Sequence, residues 1–386
     1  MTDSAVVYDA ARLFDGERFV EPARVAVRGG RIEAVGEAAT GSSAPVEDLG
    51  DVTLMPGFVD CHQHLVFDGN GTLEEQVTGR TDEELTERAR ANARWALAGG
   101  VTTLRDLGDR GYVTLGLRDE PGMPTIQCAG PPITVTEGHC WYLGGEVTDR
   151  ASMIAAVRER VERGCDVVKI MATGGQLTPA TPAWRSQFGA DDLGAMVDEA
   201  HRLDRPVAAH CHGVEGISNA VDAGVDTIEH CSFDCEHDHD EPDPDVIRKV
   251  AESGIALSAT FGRCGDPPFP PDQWPAWIPR MIASVAKVRE LGGNIVVGTD
   301  AGIGPLKPHD VAPHAIEPLL LIGMSPVEAF AAMTSRGADA LGLVHKGRLA
   351  PGADADMVAI DGDLVEDPDA IRRIAGVWKA GSAVER

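Results

Sequence analysis

Between residues 54 and 300 the sequence alternates between short apolar runs and longer amphipathic segments, and this alternation limits the possible folds more than any other feature. The apolar runs have the length and the β-branched content of buried strands. They cover Leu54–His62, Val101–Leu107, Thr125–Ala129, Val167–Ala172, Val207–His212, Thr227–His230, Ala256–Thr260 and Ile295–Asp300. Helical candidates fall in the gaps at Asp82–Ala98, Arg150–Arg163, Ala190–Leu203, Pro244–Glu252 and Pro279–Leu291. Repeated strand–helix units favour a parallel sheet, and eight of them predict an α/β protein built on a (β/α)8 TIM-like barrel.

A doubly wound open sheet is the main alternative to the barrel. It is disfavoured because no Gly-x-Gly-x-x-Gly turn follows the first predicted strand. The two ends of the chain are β-rich, with a hairpin signal at Arg28-Gly-Gly-Arg31 and a second β segment at 347–360. We therefore predict a small β-sandwich domain formed by residues 1–54 and 346–386, with the barrel domain at residues 55–345 between them.

Composition narrows the classes of partner. The formal net charge of −27 over 386 residues argues against nucleic acid and anionic membranes, which leaves a small-molecule substrate as the expected partner. We expect neither a signal peptide nor a transmembrane helix, because the N-terminal region lacks a basic and apolar leader and no apolar run approaches about 20 residues. The eight cysteines show no Cys-x-x-Cys spacing. They predict buried thiols in a reducing cytoplasm.

Residue types that bind metals recur at the carboxyl ends of the predicted strands. They are His62 and His64 on the first strand, Lys169 on the fourth, His210 and His212 on the fifth, His230 on the sixth and Asp300 on the eighth. An isolated His-x-His pair is more often two solvated histidines. Because a (β/α)8 barrel places its active site at these strand ends, however, the residues are expected to meet at one site.

The chemistry of these residues predicts a metal-dependent hydrolase. Imidazoles and a carboxylate suit zinc, or manganese, iron or cobalt. Metal coordination lowers the pKa of bound water to roughly 7, so a hydroxide nucleophile is available at neutral pH. Asp300 ends its run without another acid beside it, and a helix N-cap would explain it equally well in isolation. Beside the histidines, it is the best candidate for the general base that later acts as general acid.

Lys169 is the one charge in the apolar run Val167-Val-Lys-Ile-Met171. An ammonium buried beside a metal cation would be costly. A neutral amine at this position can add carbon dioxide to form a carbamate that bridges two metals. A Schiff-base lysine and an ion pair at the strand end are the alternatives, and the surrounding histidines favour the bridge.

Several motifs resemble the amidohydrolase superfamily over nearly the whole chain, with most similarity to its imidazolonepropionase-like branch that includes Xaa-Pro dipeptidases. They are Pro56-Gly-Phe-Val-Asp-Cys-His-Gln-His64, Val168-Lys-Ile170, Ala209-His210, Ile228-Glu-His230, Gly298-Thr-Asp-Ala-Gly302 and the tail Leu349–Val358. The resemblance implies two divalent ions, with zinc expected, bridged by a carboxylated Lys169. It also implies that one ion is held by His62, His64 and Asp300. His210 and His230 would hold the other, and a homo-oligomer is an expectation from the resemblance alone.

Four further residues are predicted to contact substrate, namely His139, His212, Tyr142 and Arg105. Similar dipeptidases have Gly-Gly-His where this chain has Glu137-Gly-His139, which weakens the case for His139. Packing is an alternative role for His212 and Tyr142. For Arg105 the alternative is a salt bridge to Asp106 or a neighbour.

The expected activity is hydrolysis of an amide bond in a small molecule such as a dipeptide or an N-acyl amino acid. A mononuclear cyclic-amide hydrolase or deaminase is the first alternative, and a lactone, ester or phosphoester hydrolase the second. An aldolase or lyase that uses Lys169 covalently is the weakest enzymatic alternative. A non-enzymatic scaffold is disfavoured because the ligand-type positions are intact. The proline-rich Gly265–Trp277 segment is expected at the rim of the site, and the acidic run at 234–245 is expected to be a solvated loop.

Overall fold

The computed structural model describes residues 5–178, 180–237, 240–265, 275 and 277–386. The strands are β1 (Val6–Asp9), β2 (Arg12–Leu13), β3 (Arg24–Arg28), β4 (Arg31–Val35), β5 (Val46–Asp48), β6 (Val52–Pro56), β7 (Phe58–Gln63), β8 (Val101–Asp106), β9 (Thr125–Cys128), β10 (Thr134–Val135), β11 (Glu146–Val147), β12 (Val168–Met171), β13 (Val207–Gly213), β14 (Thr227–Asp234), β15 (Ala256–Ser258), β16 (Ile295–Val296), β17 (Met357–Asp361), β18 (Ile374–Lys379) and β19 (Ser382–Ala383). The α-helices are α1 (Glu37–Thr40), α2 (Leu73–Val77), α3 (Asp82–Ala98), α4 (Arg150–Arg163), α5 (Ala190–Arg202), α6 (Val214–Ala223), α7 (Pro244–Glu252), α8 (Trp277–Glu290), α9 (Ile316–Leu321), α10 (Pro326–Ala332) and α11 (Ser335–Ala340).

The central strands are all parallel, as the strand–helix alternation predicts. One sheet has the order β7–β8–β9, and the other runs β12–β13–β14–β15–β16. Backbone contacts connect the two sheets at both pairs of edges: Ile133 bridges to Ile170, and the Cys61 amide donates to the Val297 carbonyl at 2.9 Å. The α/β content and the parallel order fit the predicted TIM-like barrel.

The prediction of one continuous first strand at Leu54–His62 is wrong. The structure divides this segment into β6, which pairs with β17 and β2, and β7, which pairs with β8. Gly57 lies at the division, and a Cβ there would approach Thr102 Oγ1 to 2.2 Å. A glycine is therefore required where the chain passes from one sheet to the other.

Strands from both ends of the chain share one sheet. Its order is β19–β18–β17–β6–β2, and Met357 lies opposite Pro56 in the β17–β6 pair. A second sheet, β4–β3–β1–β5, contains the predicted hairpin, in which Gly29 and Gly30 have φ angles of 56° and 79°. These two positive angles are those of a type I′ turn. The domain boundaries at 54/55 and 345/346 stay a prediction.

The long helices match the sequence pattern, and the short ones were missed. α3, α4 and α7 have the predicted bounds, and α5 and α8 differ by one or two residues at their ends. The missed α2, α9, α10 and α11 have five to seven residues each, too few for a helical period to stand out. α6 begins directly after β13, so its pattern runs on from the strand.

Six of the eight cysteines are buried free thiols, as predicted, and Cys235 and Cys264 are partly exposed. Among the described residues, no helix has both the length and the apolar content needed to cross a bilayer. Most of the predicted rim segment Gly265–Trp277 lies outside the described residues, as do residues 238 and 239 of the acidic run.

Candidate metal centre

The ends of β7 and of the segment after β16 bring His62, His64 and Asp300 together. Their ligand atoms form a nearly equilateral triangle: His62 Nε2 is 3.2 Å from His64 Nε2, and Asp300 Oδ1 is 3.4 Å and 3.3 Å from these two nitrogens. Donor atoms around a tetrahedral zinc at its usual bond lengths lie about 3.3 Å apart. The three side chains therefore fit the donor set of a divalent metal.

A second group of ligand atoms comes from β13 and β14. One nitrogen from each of His210, His212 and His230 lies within 4.8 Å of the others, and all three residues are buried. The rings of His210 and His230 are 4.4 Å apart. His212, predicted only as a substrate contact, is by position also a possible metal ligand.

Neighbouring groups fix the orientation of these histidines. The carboxylate of Glu229 lies 2.9 Å from His62 Nδ1, and the Gly108 carbonyl lies 3.3 Å from His64 Nδ1. The Gly174 carbonyl lies 3.0 Å from His210 Nε2. Because these oxygens only accept, each contacted nitrogen carries the proton, and the lone pair of the other nitrogen remains available.

The remaining two histidines contact hydroxyl groups. His212 Nδ1 lies 2.7 Å from Ser232 Oγ, and His230 Nδ1 lies 3.1 Å from Thr260 Oγ1. In both cases the contact occupies one ring nitrogen and leaves Nε2 as the possible ligand atom. All five rings thus follow the pattern seen around metal-binding histidines, in which the second nitrogen is held by the protein.

Burial disfavours the protonated form of His62, His210 and His230. It lowers the pKa of His62 to about 4, with the nearby Lys169 ammonium as the next cause. Burial also lowers the pKa of His210 and of His230 well below the ordinary range, and the neighbouring histidines add to this. Neutral imidazole is the form that binds a metal.

Lys169 lies in β12 on the wall of the same cavity. Its side chain is buried, and its Nζ has no hydrogen-bond partner among the residues that the structure describes. Burial lowers the pKa of the amine. A buried amine without a partner costs free energy as it stands, and modification to an anionic metal-binding group would remove that cost.

Arg105, predicted to contact substrate, is not among the described residues that line the cavity. Its guanidinium is buried beneath the site, where Nη2 donates to Glu229 Oε1 at 2.8 Å and Nε donates to the Cys61 carbonyl at 2.9 Å. The internal salt bridge considered as its alternative exists, with Glu229 rather than Asp106 as partner. Burial raises the pKa of the Glu229 carboxyl, but Arg105, His62 and Lys169 together outweigh this effect, and the pKa falls to about 2.

A cavity of about 430 Å³ opens above both histidine groups. His139 and His212 line it, as expected for residues that face a substrate, and His139 Nδ1 lies 2.8 Å from Thr178 Oγ1. Tyr142 is not among the described residues that line the cavity, and its substrate contact stays a prediction. Its hydroxyl lies 3.6 Å from Cys140 Sγ within the buried core, which is the packing role considered as the alternative.

Three residues at the strand ends adopt left-handed backbone conformations. The φ angles of His230, Thr260 and Asp300 are 68°, 52° and 60°. Such conformations are costly for residues with a Cβ, particularly for a β-branched threonine, and they concentrate at functional sites. Cys231 and Phe233 of β14 share this conformation, so the strained backbone includes residues that present ligand atoms or hold them in place without being confined to them.

Two features of the site were not predicted from the sequence. Glu229 was not predicted as a site residue, although it lies within the motif Ile228-Glu-His230. The available signal was an acid inside a fully buried strand, as Lys169 is a base inside another. The apolar side chains of α8 and α9 on the cavity wall were also missed, because their helical spacing is equally typical of core packing.

Comparison with known proteins identifies related hydrolases. A family model described as "Amidohydrolase family" matches residues 53–384. An ochratoxinase from Aspergillus niger is 28% identical over 375 residues, covering 85% of this chain and 75% of that protein. An imidazolonepropionase from Ruegeria sp. is 25% identical and covers 89% and 87% of the two chains. The crystal structure of a Xaa-Pro dipeptidase with bound methionine in its active site aligns with a TM-score of 0.85 and 26% identity, covering 99% of this chain and 100% of that one.

Proposed function

The chain belongs to the amidohydrolase family and is a hydrolase acting on carbon–nitrogen bonds, and we propose that it cleaves the amide bond of a dipeptide or an N-acyl amino acid at a binuclear metal centre. The observation that carries this proposal is the buried Lys169 Nζ, which has no partner among the described residues and lies in a cavity that also contains the two groups of metal-ligand type. A mononuclear site would leave this amine without a role.

The residues divide into two ligand sets and one bridge. His62, His64 and Asp300 would hold one ion, and His210 and His230 would hold the other, with His212 as a third possible ligand. Lys169, carboxylated on Nζ, would bridge the two. Zinc fits the imidazole-rich donor set. The bound ions would polarise the amide carbonyl and lower the pKa of a water molecule to about 7.

Asp300 is the proposed proton carrier. Its carboxylate lies at the cavity wall beside His62 and His64 and accepts a proton from the attacking water. It then donates that proton to the amide nitrogen as the carbon–nitrogen bond breaks, which converts a poor leaving group into an amine. His139 and His212, which line the cavity, orient the substrate.

The parallel sheets are proposed to form one closed barrel. The contacts from Ile133 to Ile170 and from Gln63 to Ala301 support this, because they connect the free edges of the two sheets. The strand ends that carry the ligands then lie on one face of the barrel, where enzymes with this fold bind substrate. The terminal sheets are proposed to form the small separate domain.

Hydrolysis of a cyclic amide is the second candidate activity, because an imidazolonepropionase matches nearly the whole chain. The proposed bridge by Lys169 separates the two candidates. A metal content of two ions per chain favours the binuclear amidase, and a content of one favours the alternative.

The test is a screen of metal-replete protein against dipeptides, N-acyl amino acids, cyclic amides and lactones. We expect turnover of linear amides, with release of free amine. Asp300→Asn should lower turnover by about 10²–10⁴-fold while much of the metal stays bound, and Asp369→Asn, an exposed acid paired with Arg372, is the matched control. The proposal fails if only lactones are hydrolysed, or if Asp300→Asn retains the activity of the wild type.

A further inference from the structure

We propose that the substrate of this site is an amide with an extended apolar substituent, which lies against one face of α8 and the adjoining face of α9. This inference rests on the proposed function and assigns a substrate class to it. The apolar substituent is either the acyl chain or the side chain on the amine. Both have the same chemistry, and the experiment below distinguishes them.

The first observation is that the apolar residues of α8 form two groups, one that lines the cavity and one that packs in the protein core. Ile278, Met281 and Ile282 have the spacing of one helical face, and all three line the cavity. Val285 and Val288, farther along the helix, are fully buried in the protein core. The first half of α8 therefore offers its apolar face to the cavity, whereas the second half packs against the protein.

The second observation is the exposed apolar rim. Leu321 of α9 and Leu177 line the cavity with 61% and 49% of their surface exposed. Pro318 lies one helical turn before Leu321 and lines it too. Large aliphatic side chains that remain in water at the rim of a cavity gain free energy when a ligand covers them.

The third observation concerns the charged groups on the same wall. Lys307 Nζ donates to the carbonyls of Thr260 and Thr299, at 2.8 Å and 2.6 Å. Glu317 pairs with Arg372, and Arg263 has an interaction of its own. Because these charges already have partners within the protein, this wall offers a ligand mainly apolar contact, with the imidazole of His314 as a further polar group.

Polarity is thus separated across the cavity. The ligand-type histidines, Asp300 and Lys169 occupy the strand-end floor, and the aliphatic residues occupy the helical side. An amide held at the floor directs one substituent toward α8 and α9. The segment from Ile278 to Ile282 is about 6 Å long, so a chain on the order of five carbons or more is needed to cover it.

Two homologous series test this inference. The first is N-acetyl-, N-hexanoyl- and N-decanoylglycine, in which the acyl chain grows. The second is N-acetylalanine, N-acetylnorleucine and N-acetyl-2-aminodecanoate, in which the side chain on the amine grows. We expect kcat/KM to rise about three- to fourfold per methylene in one series, since a buried methylene is worth about 0.8 kcal/mol. Hydrolysis with a flat dependence in both series would overturn the apolar site and leave the proposed function standing.

If none of these amides and none of the dipeptides of the screen is hydrolysed, the proposed function fails, and a binding measurement then tests the apolar site. Decanoate and acetate are compared by calorimetry on the metal-replete protein. Decanoate should bind at least tenfold more tightly, and equal affinities would overturn the apolar site.

Variants locate the effect on the helices. Ile278→Ser and Leu321→Ser should each lower the ratio of kcat/KM for the longest substrate to that for the shortest by about tenfold. Leu291→Ser is the matched control, because Leu291 follows α8, is 42% exposed and lies outside the cavity. The inference is contradicted if the control and the two variants change this ratio equally.

Discussion

The carboxylate of Glu229 lies between His62 and Arg105: its Oε2 is 2.9 Å from His62 Nδ1, and its Oε1 is 2.8 Å from Arg105 Nη2. Glu229 also accepts from the Thr227 hydroxyl at 2.6 Å. This arrangement fixes the ring of His62 with Nε2 toward His64 and Asp300. A charged network below the strand ends therefore positions one corner of the candidate metal centre.

Glu229→Gln should weaken metal binding by about 10–100-fold, because the side-chain amide cannot supply the anionic partner that orients His62. It should also lower the thermal stability, because Arg105 is left buried without its counter-ion. Metal retention against a chelator and the melting temperature of the metal-free protein measure these two effects. Glu33→Gln, an exposed acid paired with Arg28, is the control. Wild-type metal affinity in Glu229→Gln would show that His62 does not depend on this contact.

Lys169→Met should reduce the metal content from about two ions per chain to one or none and abolish activity. Methionine is apolar and close in length to lysine, so the buried position in β12 should accept it with little loss of stability. Metal content is measured by elemental mass spectrometry, and a carbamate carbon by NMR after growth with ¹³C-labelled bicarbonate. Lys287→Met, on the exposed face of α8, is the control. Two bound ions in Lys169→Met would rule out the bridge.

The architecture was predictable because each parallel strand is a short apolar run of the kind that only a buried strand needs. Strand ends are also the one place where a (β/α)8 barrel gathers residues that are distant in the sequence. His62, His210, His230 and Asp300 could therefore be placed at one site without knowledge of any contact.

The errors came from contacts between side chains, which the pattern of one chain does not encode. Arg105 and a substrate-binding arginine have the same sequence signature, and only the position of Glu229 distinguishes them. The division of the first strand at Gly57 depends on the approach of Thr102 from the next strand. Whether Ile278 and Ile282 face the core or a cavity depends on the placement of α8 and not on its helical period.

Gly298→Ala should disturb the metal centre through packing alone. A Cβ at this position would lie 2.2 Å from Ser258 Oγ and 2.6 Å from His62 Cβ, so His62 or the backbone must move. We expect a loss of about 1–3 kcal/mol in stability and weaker metal binding. Gly194→Ala in α5 is the control, because a Cβ there meets nothing within 4 Å and alanine favours the helix. Equal metal affinity and stability in the two variants would show that the strand tolerates the displacement.

The buried histidines predict how the stability of the metal-free protein depends on pH. His309 is a case outside the two ligand groups: its Nδ1 lies 3.2 Å from Gln63 Oε1 and its Nε2 lies 3.0 Å from the Phe67 carbonyl. Burial lowers the pKa of His309 to about 4, although the contact with Phe67 opposes this shift. Between about pH 6.5 and pH 4 the unfolded chain therefore binds a proton at this residue that the folded chain does not.

The free energy of unfolding should consequently fall as the pH falls through this window. Each such histidine contributes a slope of about 1.4 kcal/mol per pH unit. Burial raises the pKa of Asp60 to about 6, which acts in the opposite direction, but this contribution is common to the wild type and a His309 variant and cancels in their difference. Between pH 4.5 and pH 6, His309→Gln should lower the slope of the unfolding free energy against pH by about 1.4 kcal/mol per pH unit relative to the wild type, which corresponds to the uptake of about one proton. Urea unfolding of the chelated proteins at several pH values measures it, with the exposed His345→Gln as control. Identical slopes for His309→Gln and the wild type would mean that His309 is protonated in the folded protein.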